Sequence, residues 1–518
     1  DMAAEIKEDK DHLIYTTRLR KGLKWSDGAA ISSADVAFTW NTIIAQGYAN
    51  PEIRESVLVD GKMPKCTATD ELTNTFVSSK ASVPFKRALA TVKIAPKHII
   101  ESLINSKDSR LSFKQLWAAN KDLSQMVTSG PFTLFTYEQG HRIELARSSN
   151  FYMCDKNGCQ LPYLDRLIYL ICPDAGMVVY EFGNNGGDLA HFRPRDFPWL
   201  NSQASSKKYR LYNLGPSQGQ SFLVFNMNPR QDFRTRKAYV DPIKSVWFND
   251  VNFRQAVNHV LNRQKIVSSF FKGMGAALFT CEAASSPLFN PALKPFSSDA
   301  KVSLELLQKS GFTKKADGSL YDSSGNKVEF NLTYCKSTFY DAVASELKDN
   351  LKELGIKVNF EILEPSYLAD LISGKRNWEA QLFTITDDPL DPGSSIDVFK
   401  SDACLHLFDQ READQRGQIM NEDARPFEKR LDEIYDQVQT EFDKTKRKEL
   451  YFEVQKIIYD EAPFIYIASP HFIVGARDNL RNYSPTPLSQ AQVGLHNVEE
   501  LFYGQEKAVP KTNSGNQN

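Results

Sequence analysis

Residues 339–363 read FYDAVASELKDNLKELGIKVNFEIL. Val343, Leu347, Leu351 and Leu354 recur at the spacing of one helical face. Gly355 stands where a glycine ends a helix in the left-handed conformation. Beyond it, Ile356, Val358, Phe360 and Ile362 alternate with Lys357, Asn359 and Glu361, the two-residue period of a half-buried strand. Pro365 or Ser366 then opens another helix, so residues 338–371 form a helix–strand–helix unit. One helical period giving way to one strand period within 25 residues points to an α/β architecture.

Outward from this unit the pattern recurs. Residues 14–19 have strand composition, Ser26-Asp27-Gly28 is a turn, and Ser32 or Ser33 caps a helix with Asp35 in its first turn. Val36, Trp40, Ile43 and Ile44 share one face of that helix. Residues 132–137 and 142–146 read as strands joined at Gln139-Gly140, and 166–172 and 220–226 as further strands. Residues 253–270 read as one helix, and 446–459 as another that Pro463 closes. Residues 401–430 are charge-rich and aperiodic, the pattern of an exposed insertion, and the polar tail after Gly504 is expected to fray. No internal repeat is evident.

The 518 residues suggest about three domains at roughly 150 residues each. The chain has 63 Lys and Arg against 64 Asp and Glu, so it has no basic excess with which to neutralise phosphates, and nucleic acid is not an expected partner. No apolar run approaches the ~20 residues needed to span a bilayer. The opening DMAAEIKEDKDH lacks the basic and apolar regions of a signal peptide.

Candidate chemistry is sparse. Gly215-Pro-Ser217-Gln-Gly219 matches the pattern of a hydrolase nucleophile elbow, but a strand rather than a helix follows it, which favours a loop between strands. Eight histidines contain no HxxxH or HxH pair, and seven cysteines contain no CxxC, so neither metal nor cofactor is expected. Cys154 and Cys159 flank an Asn157-Gly158 turn and are either a disulfide or two loop thiols. The most suggestive cluster is Thr386-Asp387-Asp388-Pro389-Leu390-Asp391-Pro392, three carboxylates directly after the apolar strand 380–385. Groups at the end of such a strand are where α/β folds place ligand contacts. A solvated turn with capping aspartates explains the same residues.

Several segments, in order, resemble the family 5 extracellular solute-binding proteins that serve ABC importers. Leu19-Arg-Lys-Gly-Leu-Lys-Trp-Ser-Asp-Gly28 with Ser33-Ala-Asp-Val-Ala-Phe-Thr-Trp40 is similar to the family's signature. Ser129-Gly-Pro-Phe132, Asn150-Phe-Tyr152 with Leu161-Pro-Tyr-Leu-Asp165, Asn252–Asn258 with Asn262–Ile266, and residues 343–392 follow in the expected sequence. The resemblance implies a periplasmic-binding-protein type II-like fold: two hinged α/β lobes joined by crossing strands, with an additional domain packed on one lobe. It divides the chain into 1–128 (accessory domain and part of the first lobe), 129–226 with a return at 471–518 (first lobe), and 227–470 (second lobe).

In function it implies a monomeric, non-enzymatic periplasmic or extracellular receptor that delivers a short peptide or other amine-bearing solute to a membrane permease, with no cofactor. It makes Asp388 the partner of the ligand amine, beside Asp387, and adds Tyr48, Tyr483, Ile385 and Trp378 to the ligand site. It favours a Cys154–Cys159 disulfide. It also exposes departures. Arginines that hold peptide carboxylates in oligopeptide binders are matched by Leu382 and Ser373, with Lys375 and Arg376 nearby. Ile385 stands where a tryptophan is usual. The family's opening strands are missing ahead of Leu19, which implies a shortened start or an incomplete lobe, and a lipid anchor or cleaved signal is expected to lie outside the chain. A Ser217 hydrolase, or a peptide-binding chaperone or chemoreceptor on the same fold, are the alternatives.

Overall fold

The computed structural model describes residues 2–49, 51–104, 113, 126–232, 234–386, 391, 395–403, 405–411, 419, 421–487 and 494–504. The chain forms two compact units. One contains Asp1–Phe192, Pro198–Tyr212 and Val474–Asn518, and the other Arg193–Phe197 and Asn213–Ile473.

In the first unit, β1 (Ala3–Glu8), β2 (Ile14–Leu19), β3 (Lys65–Ala68) and β4 (Thr73–Val77) form an antiparallel sheet in the order β1-β2-β4-β3. Tyr15, Trp40, Phe76 and Phe85 interlock beneath it, the Trp40 and Phe76 rings 4.9 Å apart and edge-to-face. Ser32 caps the helix Ser33–Phe38 and the Asp35 carboxylate closes the capping box. Asp35 also accepts from the Lys97 backbone N–H at 3.0 Å, tying a second helix, Lys97–Ile104, to the first. The Leu19–Gly28 motif has a packing explanation: Leu19, Leu23 and Trp25 are buried together, and Gly28 adopts a φ of 90° that a side chain would resist. A second sheet follows, β5 (Phe132–Glu138), β6 (Arg142–Arg147) and β7 (Arg166–Leu170), in sequence order.

The main sheet draws on β8 (Leu189–Phe192), β9 (Tyr209–Pro216), β10 (Gly219–Phe225) and β11 (Gly275–Ala277). After a short hairpin of β12 (Thr313–Lys314) and β13 (Leu320–Tyr321) come β14 (Glu329–Cys335), β15 (Lys357–Leu363), β16 (Ala380–Thr386) and β17 (Phe464–Arg477). The order is β11-β17-β10-β16-β14-β15, with β8 and β9 also on β17. β14 runs parallel to β15 and to β16, while β10 is antiparallel to β16 and β17. Both β9 and β17 begin in one unit and end in the other.

The deciding unit folds as its periods indicate. A helix runs Thr338–Leu354, Gly355 adopts a φ of 85°, and β15 follows. Val343, Leu347, Leu351 and Leu354 are buried. Pro365 opens the next helix, Pro365–Asp370. On β15, however, only Val358 is buried, while Phe360 and Ile362 are 38% and 50% exposed. β15 is an edge strand, with β14 as its one neighbour in the sheet, so its side chains are less covered than those of inner strands.

Other expectations need correction. Residues 253–270 form two helices, Val251–Val260 and Arg263–Ser269, because Leu261 is extended and the Asn262 side chain caps the second by accepting from the Lys265 N–H. The expected Cys154–Cys159 disulfide is not formed; both thiols are free and exposed. Cys154 bridges Gln160, and the Asp155 N–H donates to the Cys159 carbonyl, so the cysteines are one register step apart and point to opposite faces of the turn. Asp155 closes the loop instead, accepting from the Asn157 and Cys159 N–H groups at 2.8 Å.

Among its described residues, the 401–430 segment is anchored rather than exposed. Its charges satisfy one another: Glu428 and His406 are fully buried and 2.7 Å apart, Arg411 and Arg425 reach both Glu428 and Asp409, and Arg230 reaches Asp409 at 2.6 Å. Paired and hydrogen-bonded charges are the kind that tolerate burial. The tail from residue 505 lies outside the described residues, as does Cys404.

Candidate functional site

In the second unit the parallel strands β14 and β16 deliver their carboxyl ends, Cys335 and Thr386, to one edge of the sheet. The helix Thr338–Leu354 starts at that edge, with Ser337 accepting from the Phe339 N–H at 3.2 Å. Carboxyl ends of parallel strands beside a helix start are the common ligand-binding position of α/β sheets.

Three hydroxyls meet there. Thr384, on β16, lies 2.9 Å from the Ser221 oxygen on β10 and 2.7 Å from the Tyr340 oxygen in the first turn of the helix. Ser221 is buried, Tyr340 half-buried and Thr384 exposed. Burial raises the Tyr340 phenol, Cys335 adds to this, and the Thr384 hydrogen bond partly offsets it. The group therefore stays protonated and able to donate near neutrality. Sequence reading missed this trio because its members are 163 and 44 positions apart and none belongs to a motif.

Ile385, next on β16, pairs in register with Gln220 and packs half-buried on the core. Asp387 and Asp388 follow directly but lie outside the described residues. Trp378 is 4% exposed, belongs to the core, and precedes β16 at its opposite end. Ile385 lies near the carboxyl end of β16, so most of the strand's length separates the two. Leu382 is buried in the core, so no side chain at that position offers a cation to a ligand. Lys375 pairs with Asp370 at 2.9 Å and stands over the Tyr367 ring, and the Arg376 guanidinium bonds the Gly374 carbonyl.

Two candidates fall in the first unit, in different surroundings. Tyr48 is half-buried against Phe113, 5.6 Å away edge-to-face, near Phe38, Ile43 and Ile100. Tyr483 is 9% exposed, its ring 5.4 Å from that of Tyr212. Burial chiefly, and Tyr212 next, push its phenol well above the usual range.

Ser217 occupies the two-residue link between β9 and β10. Its hydroxyl lies 3.1 Å from that of Ser469 and its N–H donates to the Pro470 carbonyl. A strand follows it, so no helix start supports an oxyanion there, and the elbow reading loses the geometry it requires. Among the described residues no three His, Cys, Asp or Glu side chains gather to hold a metal, and no helix is long and apolar enough to cross a membrane.

The chain resembles known proteins along nearly its whole length. A probable ABC transporter-binding protein of Deinococcus radiodurans is 27% identical over 97% of this chain and 84% of its own length. The oligopeptide-binding protein AppA of Bacillus subtilis, solved with a nonapeptide, superimposes with a TM-score of 0.72 at 20% identity, covering 98% of this chain and 90% of that one. The periplasmic binding protein MelB of Agrobacterium fabrum, solved with stachyose, gives 0.74 at 20% identity, covering 99% and 78%. These likenesses bear out the periplasmic-binding-protein type II-like α/β fold. The model of the bacterial extracellular solute-binding proteins, family 5, matches residues 1–404. With the sheet edge, its helix start and this match together, the chain belongs to the family 5 bacterial extracellular solute-binding proteins.

Proposed function

We propose that this chain is the extracytoplasmic substrate-binding component of an ABC importer and that it takes a short peptide or another amine-bearing solute. It holds that solute by hinge closure, as a monomer, and passes it unaltered to a membrane permease. The observation that carries the reading is the family match across residues 1–404, joined to an acidic run directly behind a strand whose carboxyl end lies at a parallel sheet edge. AppA was solved with a nonapeptide, which supports a peptide here. MelB was solved with stachyose, so fold alone does not select the ligand class. The carboxylates favour an amine, because a partly desolvated aspartate gains most from a cationic partner.

Asp388 is the residue assigned to the amine, with Asp387 beside it and Ile385, Tyr48, Tyr483 and Trp378 as further candidates. Of these, Trp378 is the least accessible to a ligand, being in the core. Asp388→Asn should weaken a peptide with a free amine by about 2–5 kcal/mol, the range for removing one partner of a buried charge pair. The same peptide acetylated at its N-terminus should lose little further affinity on that substitution. Calorimetry of both peptides checks this, and an unchanged free-amine affinity removes Asp388 from the site.

A further inference from the structure

Among the described tryptophans, Trp25, Trp40, Trp247 and Trp378 are at most 4% exposed, whereas Trp199 is 51% exposed. Its helix, Phe197–Lys207, spaces Trp199, Gln203 and Lys207 four residues apart, on one face. The helix Ala175–Gly183 carries Tyr180, 63% exposed, with Gly183 one turn on and Asn184 as the C-cap. The two faces meet within the first unit, where a Cβ at Gly183 would lie 3.7 Å from the Trp199 indole. Between them lies a cleft of about 200 Å³ lined by these six residues, with Val179 and Tyr209. Phe182 and Leu200 are the buried members of the two helices, so Tyr180 and Trp199 are not what holds them to the unit.

The lining has a definite chemistry. Among the described lining residues none carries a carboxylate, and Lys207 is the one cation. The Tyr180, Asn184, Gln203 and Lys207 side chains make no hydrogen bond or ion pair with the described residues. We propose that this cleft is a second binding site, for a sugar acid: one pyranose ring bearing a carboxylate. The negative face of the indole attracts the weakly positive C–H groups of a pyranose. The Asn184 and Gln203 amides each offer donors and an acceptor, as ring hydroxyls require, and the Lys207 ammonium pairs with the carboxylate. A flat aromatic acid would use the rings and the lysine but leave both amides unmatched. The cleft is smaller than the roughly 300–1,000 Å³ of drug-sized sites, which suits one ring. The inference does not depend on which solute the receptor imports.

The test is saturation-transfer NMR on the full chain with D-glucuronate, D-glucose and benzoate, with tryptophan fluorescence in parallel. Glucuronate is expected to bind in the millimolar range and about 2–5-fold more tightly than glucose, the scale of an exposed charge pair. Lys207→Met should abolish that preference and Lys207→Arg should retain it. Trp199→Ala should weaken both sugars at least about fivefold, with thermal melts verifying that each variant folds. No binding of glucuronate, glucose bound as tightly as glucuronate, or a preference that survives Lys207→Met overturns the inference. So does undiminished binding by Trp199→Ala. Benzoate bound as tightly as glucuronate overturns the sugar assignment, since the amides would then contribute nothing. None of these outcomes touches the receptor reading, which the peptide calorimetry tests separately.

Discussion

Glu428 accepts from His406, Arg411 and Arg425 side chains and from the Arg425 backbone N–H, at 2.6–3.3 Å, in a fully buried position. Burial alone would raise its pKa, but His406 and the two guanidiniums win, and the carboxyl falls from 4.5 to about 2. Its folded pKa lies below the unfolded one, so its contribution to stability is complete above about pH 4.5 and disappears as pH falls through about 2. Glu428→Gln should cost about 3–5 kcal/mol at pH 7, as for breaking a buried pair by removing one partner. The deficit against wild type should shrink steadily in denaturant titrations from pH 5 down to pH 2. A deficit constant over that window would show that packing, not charge, holds the segment. None of this was visible in the sequence, where residues 401–430 read only as a charge-rich run. Composition counts charges but does not say which ones meet. The site shares that opacity: the acidic run after β16 stood out because its carboxylates are adjacent, whereas Ser221, Thr384 and Tyr340 come together only when β10, β16 and a helix start are assembled.

Elements were more legible, since periodicity reports burial directly. The helix Thr338–Leu354, its glycine stop and β15 follow from spacing alone. Gly355 is also held by contact: a Cβ there would come within 2.6 Å of the Gly318 carbonyl and 2.7 Å of the Leu320 nitrogen. Gly355→Ala should therefore cost at least about 2 kcal/mol, combining left-handed strain with overpacking against backbone that cannot yield. Equilibrium unfolding checks this, and a change under about 0.5 kcal/mol, the usual scale of a harmless surface substitution, would contradict it. What periodicity missed was local polar competition and sheet position. The Asn262 cap splits an apolar-periodic stretch into two helices. The same alternation that buries Val358 leaves Ile362 exposed, because β15 is at an edge. A one-residue register step separates two cysteines whose spacing left a disulfide open and whose pairing the family resemblance favoured.

At the scale of the whole molecule, the fold class was readable because helical and strand periods alternate along the chain and the motifs follow a family order. Strand order was not readable: β17 pairs with β10 and β11, about 200 or more positions earlier, and only long-range packing selects such neighbours. A receptor that binds only when folded must be stabilised by its ligand. At 100 times the dissociation constant the gain should be about 2.7 kcal/mol, read as a rise in melting temperature. Asp388→Asn should show a smaller rise at the same peptide concentration, and an equal rise would contradict its assignment to the amine. The central claim, reversible capture without chemical change, is tested most directly by native mass spectrometry of the protein incubated with a pool of short peptides. The account predicts one peptide held per chain, released intact on denaturation with the protein's covalent mass unchanged. A pool from which no peptide is retained, or one whose members are cleaved or attached covalently, would contradict it.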